Sequence, residues 1–422
     1  MTTGMFWRRD VLPNGLRVLS FPRQSANTTQ CSVAVEFGSN QEPEENAGVA
    51  HFLEHMLAGG STKRIKLSRS IEHSGGILDF YTDHEHMMSR MDIMPEKLTE
   101  ASQVISELLF DTDFEEEKLR RERKIIINEL AQALDDPTER VEELLIKSLF
   151  KNHPVRRPVG GFPKTVKQLT LDQLSNAQSA NYLPRNMILI LAGNFSEEIR
   201  QIILKPFEKK TSEKIPSKKT ILPETGKPEP LVIKKKSGIA QSYLSIGART
   251  VCTNHKDTIT LDVLSTILGG GTSSRLFVEL REKNGLTYDI NSNHNKGKDF
   301  GFFNINCAVK DKNVTRAQSL ILKELTKLKT EKVPTNELQR SRNLICAEIL
   351  RGMDNPHETS EILAYMEIQF RNERSLEDYV GKIKAVTSES IMEATNEYFA
   401  ENCLSTVILK PDNNSEAINK IS

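Results

Sequence analysis

A stretch near the middle of the chain recurs half a chain later, and this repeat restricts the possible folds more than any other feature. Val166-Lys-Gln-Leu-Thr170 followed by Tyr182-Leu-Pro-Arg-Asn186 is echoed by Ile383-Lys-Ala-Val-Thr387 followed by Tyr398-Phe-Ala-Glu-Asn402, about 216 residues on. In both copies a helix-like stretch precedes the tyrosine and an apolar, strand-like run follows it, Met187 to Ala192 and Leu404 to Leu409. A chain of 422 residues is too long for one ordinary core, whereas two domains of about 200 residues each lie in the usual range. The expected architecture is α+β: two duplicated domains, each a mixed, mostly antiparallel sheet covered by helices. Between Lys205 and Lys236 the composition turns to Lys, Pro, Glu, Thr and Ser, which reads as a solvated connector. The expected division is therefore 1–204, a linker at 205–236, and 237–422.

Within the first half, periodicity predicts strands near Leu16–Phe21 and Ser32–Phe37, then helices from about Asn46 and Lys63. Short strands follow near Ile77–Thr82 and His86–Met91, and then long helices over Glu96–Phe110, Phe114–Leu134 and Glu139–Leu149. Strands and helices are grouped rather than strictly alternating, which favours an antiparallel or mixed sheet with helices packed on one face. The 57 basic and 57 acidic residues cancel, so net charge points to neither a nucleic acid nor an anionic membrane as partner. No apolar run approaches the roughly 20 residues of a membrane span. Met1 to Asp10 has no apolar core of a signal peptide, and a strand pattern begins by Leu12. The five cysteines Cys31, Cys252, Cys307, Cys346 and Cys403 form no C-x-x-C pair, and most lie in apolar runs; a reducing, cytoplasmic compartment is expected.

The chemistry concentrates in His51-Phe52-Leu53-Glu54-His55, in a predicted helix for which Asn46 is a plausible N-cap. Residues four apart lie one above the other on a helix, so His51 and His55 can present imidazole nitrogens to one cation at about 2.0–2.1 Å. Glu54, three residues from His51, falls beside that face, placed to take a proton from water rather than to ligate. This inverted order is a zinc-peptidase signature, but a catalytic zinc needs a third protein ligand. Leu119, Glu122, Ile126, Glu129 and Ala133 recur at steps of three and four on one helical pattern, so two glutamates share an otherwise apolar face. Buried carboxylates need a neutralising partner, and a metal with its histidine is the natural one. Glu129 is assigned as third ligand and Glu122 as the acceptor that sets a histidine tautomer. A helix face salt-bridged to the neighbouring Arg and Lys residues is the alternative for Glu129.

With these residues in hand, the chain resembles the pitrilysin family of zinc peptidases, in particular its small two-domain members related to the mitochondrial processing peptidase. The landmarks span nearly the whole chain: Leu12-Pro-Asn-Gly-Leu16, Gly38-Ser39, Gly48 through His55, Gly75-Gly76, Glu122 through Glu129, Asp135-Asp-Pro137, Asn181-Tyr182, and in the second half Gly269 through Phe277 and Leu280 through Tyr288. The resemblance implies one Zn2+ per chain held by His51, His55 and Glu129, with Glu54 as general base and Glu122 as supporting carboxylate. It implies that Arg281 and Tyr288 hold substrate carbonyls near the metal, Tyr288 donating to the developing oxyanion. Locally, Arg281 falls at the end of a helix stopped by Gly285 and Tyr288 opens the next strand. The resemblance further implies a homodimer enclosing a chamber, or a heterodimer with an inactive homologue. Peptides or unfolded segments would be bound by strand addition after Gly75-Gly76. A scaffold member of the same fold, or a protease dedicated to one maturation step, are the competing readings.

Two departures from the family bear on the substrate pocket. Asp79-Phe80 stand where the family usually has Asn-Ala, and Ala58 where it usually has Phe. Elsewhere, His73, His84 and His86 with Asp83 and Glu85 form a second histidine-rich patch. Strand alternation is expected to put His84 and His86 on one face and Asp83 and Glu85 on the other, leaving no converged ligand set. Gly269-Gly-Gly271 lacks the G-K-[ST] of a phosphate loop and reads as a turn, and Lys234-Lys-Lys236 as a solvated charge run.

Overall fold

A computed structural model describes residues 7–210, 220–371 and 375–412. The first half runs β1 (Arg8–Val11), β2 (Arg17–Pro22), β3 (Thr29–Val35), α1 (Val49–Gly59), α2 (Thr62–His73), β4 (Ile77–Thr82), β5 (Met87–Ile93), α3 (Leu98–Phe110), α4 (Glu116–Asp135), α5 (Pro137–Leu149), α6 (Pro163–Gln168), α7 (Leu171–Asn181), β6 (Met187–Gly193) and α8 (Glu197–Glu208). The second half runs β7 (Leu231–Lys236), β8 (Ser242–Arg249), α9 (Thr258–Gly269), β9 (Ile290–Lys296), β10 (Gly301–Val309), α10 (Val314–Thr330), α11 (Thr335–Gly352), α12 (Pro356–Phe370), α13 (Leu376–Ala385), α14 (Ser388–Tyr398) and β11 (Leu404–Pro411).

The strand orders carry the duplication. The first sheet is β1-β2-β6-β3-β5-β4 and the second β7-β11-β8-β10-β9, so the second repeats the first from β2 onward. Each sheet is antiparallel except for one parallel pair, β2 with β6 and β7 with β11. The repeated sequence segments have the same local role in both copies. Thr170 and Thr387 cap α7 and α14 by accepting from the backbone N–H three residues on, and each helix is followed by a short turn and a buried strand.

By contact density the chain forms two compact units, and these are not two continuous halves: one comprises residues 1–131, 157–220 and 349–374, the other 132–156, 221–348 and 375–422. In the first unit, Val18, Val33, Leu189 and Leu191 face a core built with α1, α3, α4 and α7. The opposite face of the same sheet carries Leu19, Ala34, Met88, Ile188 and Ile190, covered by Leu363, Ala364 and Ile368 of α12. The expectation of helices on one face is therefore corrected. The physical reason lies in β6, whose residues are buried without alternation, as in a strand covered on both sides. In the second unit, α5 supplies Val141, Leu144 and Leu145 against Phe302, Val407 and Leu409 of the sheet.

The connector is shorter than composition implies. Lys205 to Glu208 complete α8, where Phe207 is fully buried, and Leu231 to Lys236 form the edge strand β7; residues 211–219 lie outside the described residues. Lys234 and Lys235 are exposed on that strand. All five cysteines are free thiols, Cys31 and Cys307 buried. Among the described residues no helix is long and apolar enough to cross a membrane. Leu363→Ala empties a fully buried position on α12 and is expected to destabilise the fold by about 2–5 kcal/mol, read as a lower midpoint in urea.

Candidate metal centre

The helix α1 buries Val49, Ala50, Phe52, Leu53, Met56 and Leu57. That leaves His51, Glu54, His55 and Ala58 half-buried on the remaining face, as 3.6-residue periodicity demands. Its start departs from expectation. Asn46 sits in a 3-10 turn and accepts from Gln173, while Gly48 (φ 96°) turns the chain into the helix. The orphan N–H groups of Gly48 and Ala50 donate instead to the buried Glu42 carboxylate at 2.8 and 2.7 Å. Burial pushes the Glu42 carboxyl up to about 8, against the pull of those two N–H groups and of Arg157. Arg157 itself donates to the carbonyls of Ser39 and Glu42 at 2.9 and 3.2 Å. The segment that presents the histidines is thus tied down by a carboxylate six residues upstream.

The helix α4 brings the glutamates to them. His55 donates from Nδ1 to Glu122 Oε2 at 3.4 Å, and its Nε2 lies 3.3 Å from Glu129 Oε2. One ligand atom each from His51, His55 and Glu129 lie within 4.8 Å of one another, the one such group among the described residues. Glu122 is buried as expected, but the Glu129 side chain is 45 % exposed, so the two do not share a buried face. Seven residues change the angle on a helix by only about 20°; the difference lies along the axis, since the buried residues of α4 are Leu119, Glu122 and Ile126 and the helix beyond them runs out of the core. Arg121 clamps Glu122 Oε1 at 2.6 Å and donates to the Gly59 carbonyl at 3.2 Å.

The electrostatics suit a cation. Burial, with His55 nearby, pushes the His51 imidazole down to about 4, so it is neutral and its lone pair free at ordinary pH. His51 Nδ1 is buried without a hydrogen-bond partner. Burial works against charge on His55 too, but the Glu122 bond and the Glu129 and Glu54 carboxylates outweigh it and raise its pKa. Burial raises Glu54, while His55 and Arg121 hold Glu122 below its ordinary value despite burial. Two imidazoles and one carboxylate with an open side are the donor set of a catalytic zinc, though spread a little wider than the about 3.4 Å between donors around a tetrahedral ion at about 2.0–2.1 Å.

Strand β4 walls the other side. Leu78 and Phe80 pack toward the core beside α1, and the Thr82 hydroxyl donates to Glu54 Oε2 at 2.6 Å. Asp79 is paired with Arg90, and Tyr81 donates to Glu361 at 2.6 Å. Glu54, His55, Ala58, Gly59, Leu78, Asp79, Phe80 and Glu122 line a cleft of about 360 Å³. The two departures from the resembled pattern, Ala58 and Asp79-Phe80, therefore meet in one cleft. Among the described residues β4 pairs only with β5, so its outer edge is free; Ile77 on it is 69 % exposed.

Residues Asp83 to His86 form the turn between β4 and β5 rather than a strand, which corrects the expected alternation. Asp83 Oδ1 accepts from the N–H groups of Glu85 and His86, and its Oδ2 lies 3.0 Å from His86 Nδ1. His84 pairs with Ser39, and exposed His73 bonds the Arg69 carbonyl. In the second unit, a π-helical turn over Phe277–Lys283 carries Arg281. Its guanidinium stacks on the Tyr288 ring at 4.3 Å and donates to the Tyr288 carbonyl at 2.8 Å. Tyr288 is 81 % exposed and lies two residues before β9 instead of opening it.

Sequence reasoning missed Glu42, Thr82, Arg121 and the glycine pair Gly160-Gly161. Thr82 had a signal, since it alternates with Leu78 and Phe80; Arg121 and Glu42 act on near neighbours in sequence but with no periodic pattern to mark them, and Gly161 acts on the distant Ala47. Gly161 (φ 74°) lies so close to the turn before α1 that a Cβ would come 2.2 Å from the Ala47 carbonyl oxygen. Gly161→Ala is therefore expected to lower stability by more than about 1 kcal/mol, seen as a reduced melting temperature.

Residues 17–161 match the model described as Insulinase (Peptidase family M16), and residues 168–345 that described as Peptidase M16 inactive domain. An uncharacterized zinc protease of Bacillus subtilis is 26% identical over 411 residues, covering 96% of this chain and 99% of its own length. Among solved structures, a protease from Helicobacter pylori superposes with a TM-score of 0.87 at 23% identity, over 96% of this chain and 99% of that one. A chain of complex III2 from Candida albicans superposes with a TM-score of 0.81 at 18% identity, over 98% of each.

Proposed function

Because the chain belongs to the M16 (insulinase) family of peptidases, we propose that it is a zinc-dependent endopeptidase acting on peptides or unfolded protein segments inside a chamber closed by two such chains. The observation that carries this reading is the convergence of His51, His55 and Glu129 beside the half-buried Glu54. Zinc held by those three residues would supply Lewis-acid polarisation of the scissile carbonyl and acidification of water. Glu54, made more basic by burial, takes the proton of the attacking water and later delivers it to the leaving amine. Glu122 keeps the proton of His55 on Nδ1 and so leaves Nε2 free to ligate.

The substrate class follows from the free edge of β4. An extended peptide can add to it as a further strand, main chain to main chain, which demands an unfolded segment but little particular sequence. The cleft beside Leu78, Phe80 and Ala58 then receives a side chain next to the scissile bond. Arg281 and Tyr288 hold the substrate carbonyl and the developing oxyanion, in our reading at the centre of the partner chain in a homodimer. A heterodimer with an inactive homologue would use the same pairing. The free thiols are in keeping with a reducing, cytoplasmic setting. A non-catalytic scaffold of the same fold is the second reading; the converged His51, His55 and Glu129 with Glu54 beside them favour the enzyme. A protease dedicated to one maturation step differs only in the breadth of its substrates.

Hydrolysis of a panel of unstructured, quenched-fluorescent peptides by wild type and Glu54→Gln, with bound zinc quantified in each, tests the reading. The expected result is cleavage by the wild type and a loss of at least about 10³-fold in the variant, with about one zinc per chain retained. A zinc-loaded wild type that cuts nothing in the panel would favour the scaffold. The composite site has its own test: Glu54→Gln and Tyr288→Phe proteins, each impaired alone, should regain up to about a quarter of wild-type activity when unfolded and refolded together, since half the molecules then carry one complete site. Mixed protein no more active than its components would place both halves of the site in one chain.

A further inference from the structure

The base in this mechanism must be held still as well as made basic, and a glutamate on α1 has three side-chain torsions free to rotate it away from the metal. We infer that Thr82 is the positioning residue for Glu54: its hydroxyl anchors Oε2 and leaves Oε1 as the oxygen that accepts the proton. This inference rests on the peptidase reading above. The Thr82 Oγ1 to Glu54 Oε2 distance is 2.6 Å, and the hydroxyl is the donor because the ionised carboxylate has no proton to give. Period-two alternation puts Thr82 on the same face of β4 as Leu78 and Phe80, so an adjacent strand residue would carry the hydroxyl to the opposite face.

Thr82 is itself fixed from every side. It pairs with Met87 as the last rung of the β4–β5 ladder. Immediately after it, Asp83 Oδ1 accepts from the N–H groups of Glu85 and His86 at 2.6 and 2.7 Å, locking the turn. A second loop stitches the turn down: Ser39 N–H donates to the Asp83 carbonyl at 3.1 Å and Asn40 N–H to the His84 carbonyl at 2.9 Å. Gly38 allows that approach, because a Cβ there would lie 2.5 Å from the Asp83 carbonyl oxygen. A rigid donor aimed at one oxygen of the base is what a positioning role requires. The same strand offers its outer edge to the peptide, so β4 sets the substrate main chain and the base from one piece of backbone.

The experiment compares wild type, Thr82→Val and Thr82→Ser for peptide hydrolysis, zinc content and melting temperature. Thr82→Val keeps the shape and removes the donor; kcat should fall about 10–100-fold with zinc content unchanged and KM within about twofold. Thr82→Ser restores the hydroxyl and should return kcat to within about threefold of wild type. Wild-type kcat in Thr82→Val, or a Ser variant no better than Val, overturns the inference while the peptidase reading stands; a wild type that cleaves nothing overturns the reading itself. If Thr82→Val does not fold or hold zinc, Thr82→Ala against Thr82→Ser makes the same comparison, and equal kcat in the two overturns the inference. A readout independent of turnover comes from metal-free protein. The melting shifts of Thr82→Val and Glu54→Ala should be less than additive in the double variant if the bond is made, and strictly additive shifts would overturn it.

Discussion

Two helices have to lie side by side in one orientation, because the candidate metal centre takes two donors from α1 and one from α4. That constraint is hard to meet in a core. The facing surfaces must be apolar enough to pack, yet they carry Glu54, Glu122 and His55 into semi-buried positions where an unpaired charge is costly. The structure resolves the conflict by giving each of the three a partner: Thr82 for Glu54, Arg121 and His55 for Glu122, Glu122 and Glu129 for His55. Glu129, whose partner in the proposed function is the ion, is the one left partly in solvent. Much of the surrounding structure serves this seam. Glu42 satisfies the start of α1, and Gly161 lets the chain pass against Ala47 where any side chain would collide.

The second copy of the fold shows what the same architecture does without that chemistry. Its helix α9 is largely apolar, with Asp262 as its one charged residue. That carboxylate is consumed locally, by His294 at 2.8 Å, by Lys296 and by the Tyr379 hydroxyl at 3.2 Å. An imidazole is present, but its Nδ1 is paired with Asp262 and its Nε2 with Thr250, so it offers no free donor to a cation. Duplication thus preserved the sheet order while the polar residues settled into closed ion pairs. What the second copy displays instead is the exposed Tyr288 ring, held by Arg281.

The edge strand β4 ties these themes together. Its inner face belongs to the centre, its outer face to the Arg90–Glu361–Tyr81 network, and its outer edge is unpaired among the described residues. Through Glu361 that network includes α12, which arrives from the far end of the sequence to cover the first sheet. Asp79 is bound into the network by Arg90 and so is less available to a substrate than its place on the strand implies.

The sequence by itself determined the elements and the reactive set, because both follow from short-range geometry. Periodicities of two and 3.6 located β2 to β6 and the long helices of the first half to within a few residues, though not β1. The spacing of His51, Glu54 and His55 puts them on one helix face whatever the helix packs against. The duplication was legible in Thr170 and Thr387, since an N-cap is chosen within four residues. Tertiary structure alone decided the rest. That Glu129 stands in solvent and Glu122 does not, that Glu42 rather than Asn46 closes α1, that Asp83 pairs with His86, and that α12 covers the first sheet all depend on which chain segment fills a neighbouring space. Some of these contacts are local and others join distant segments, but the energy that selects them all is burial and hydrogen-bond satisfaction, to which periodic spacing is blind.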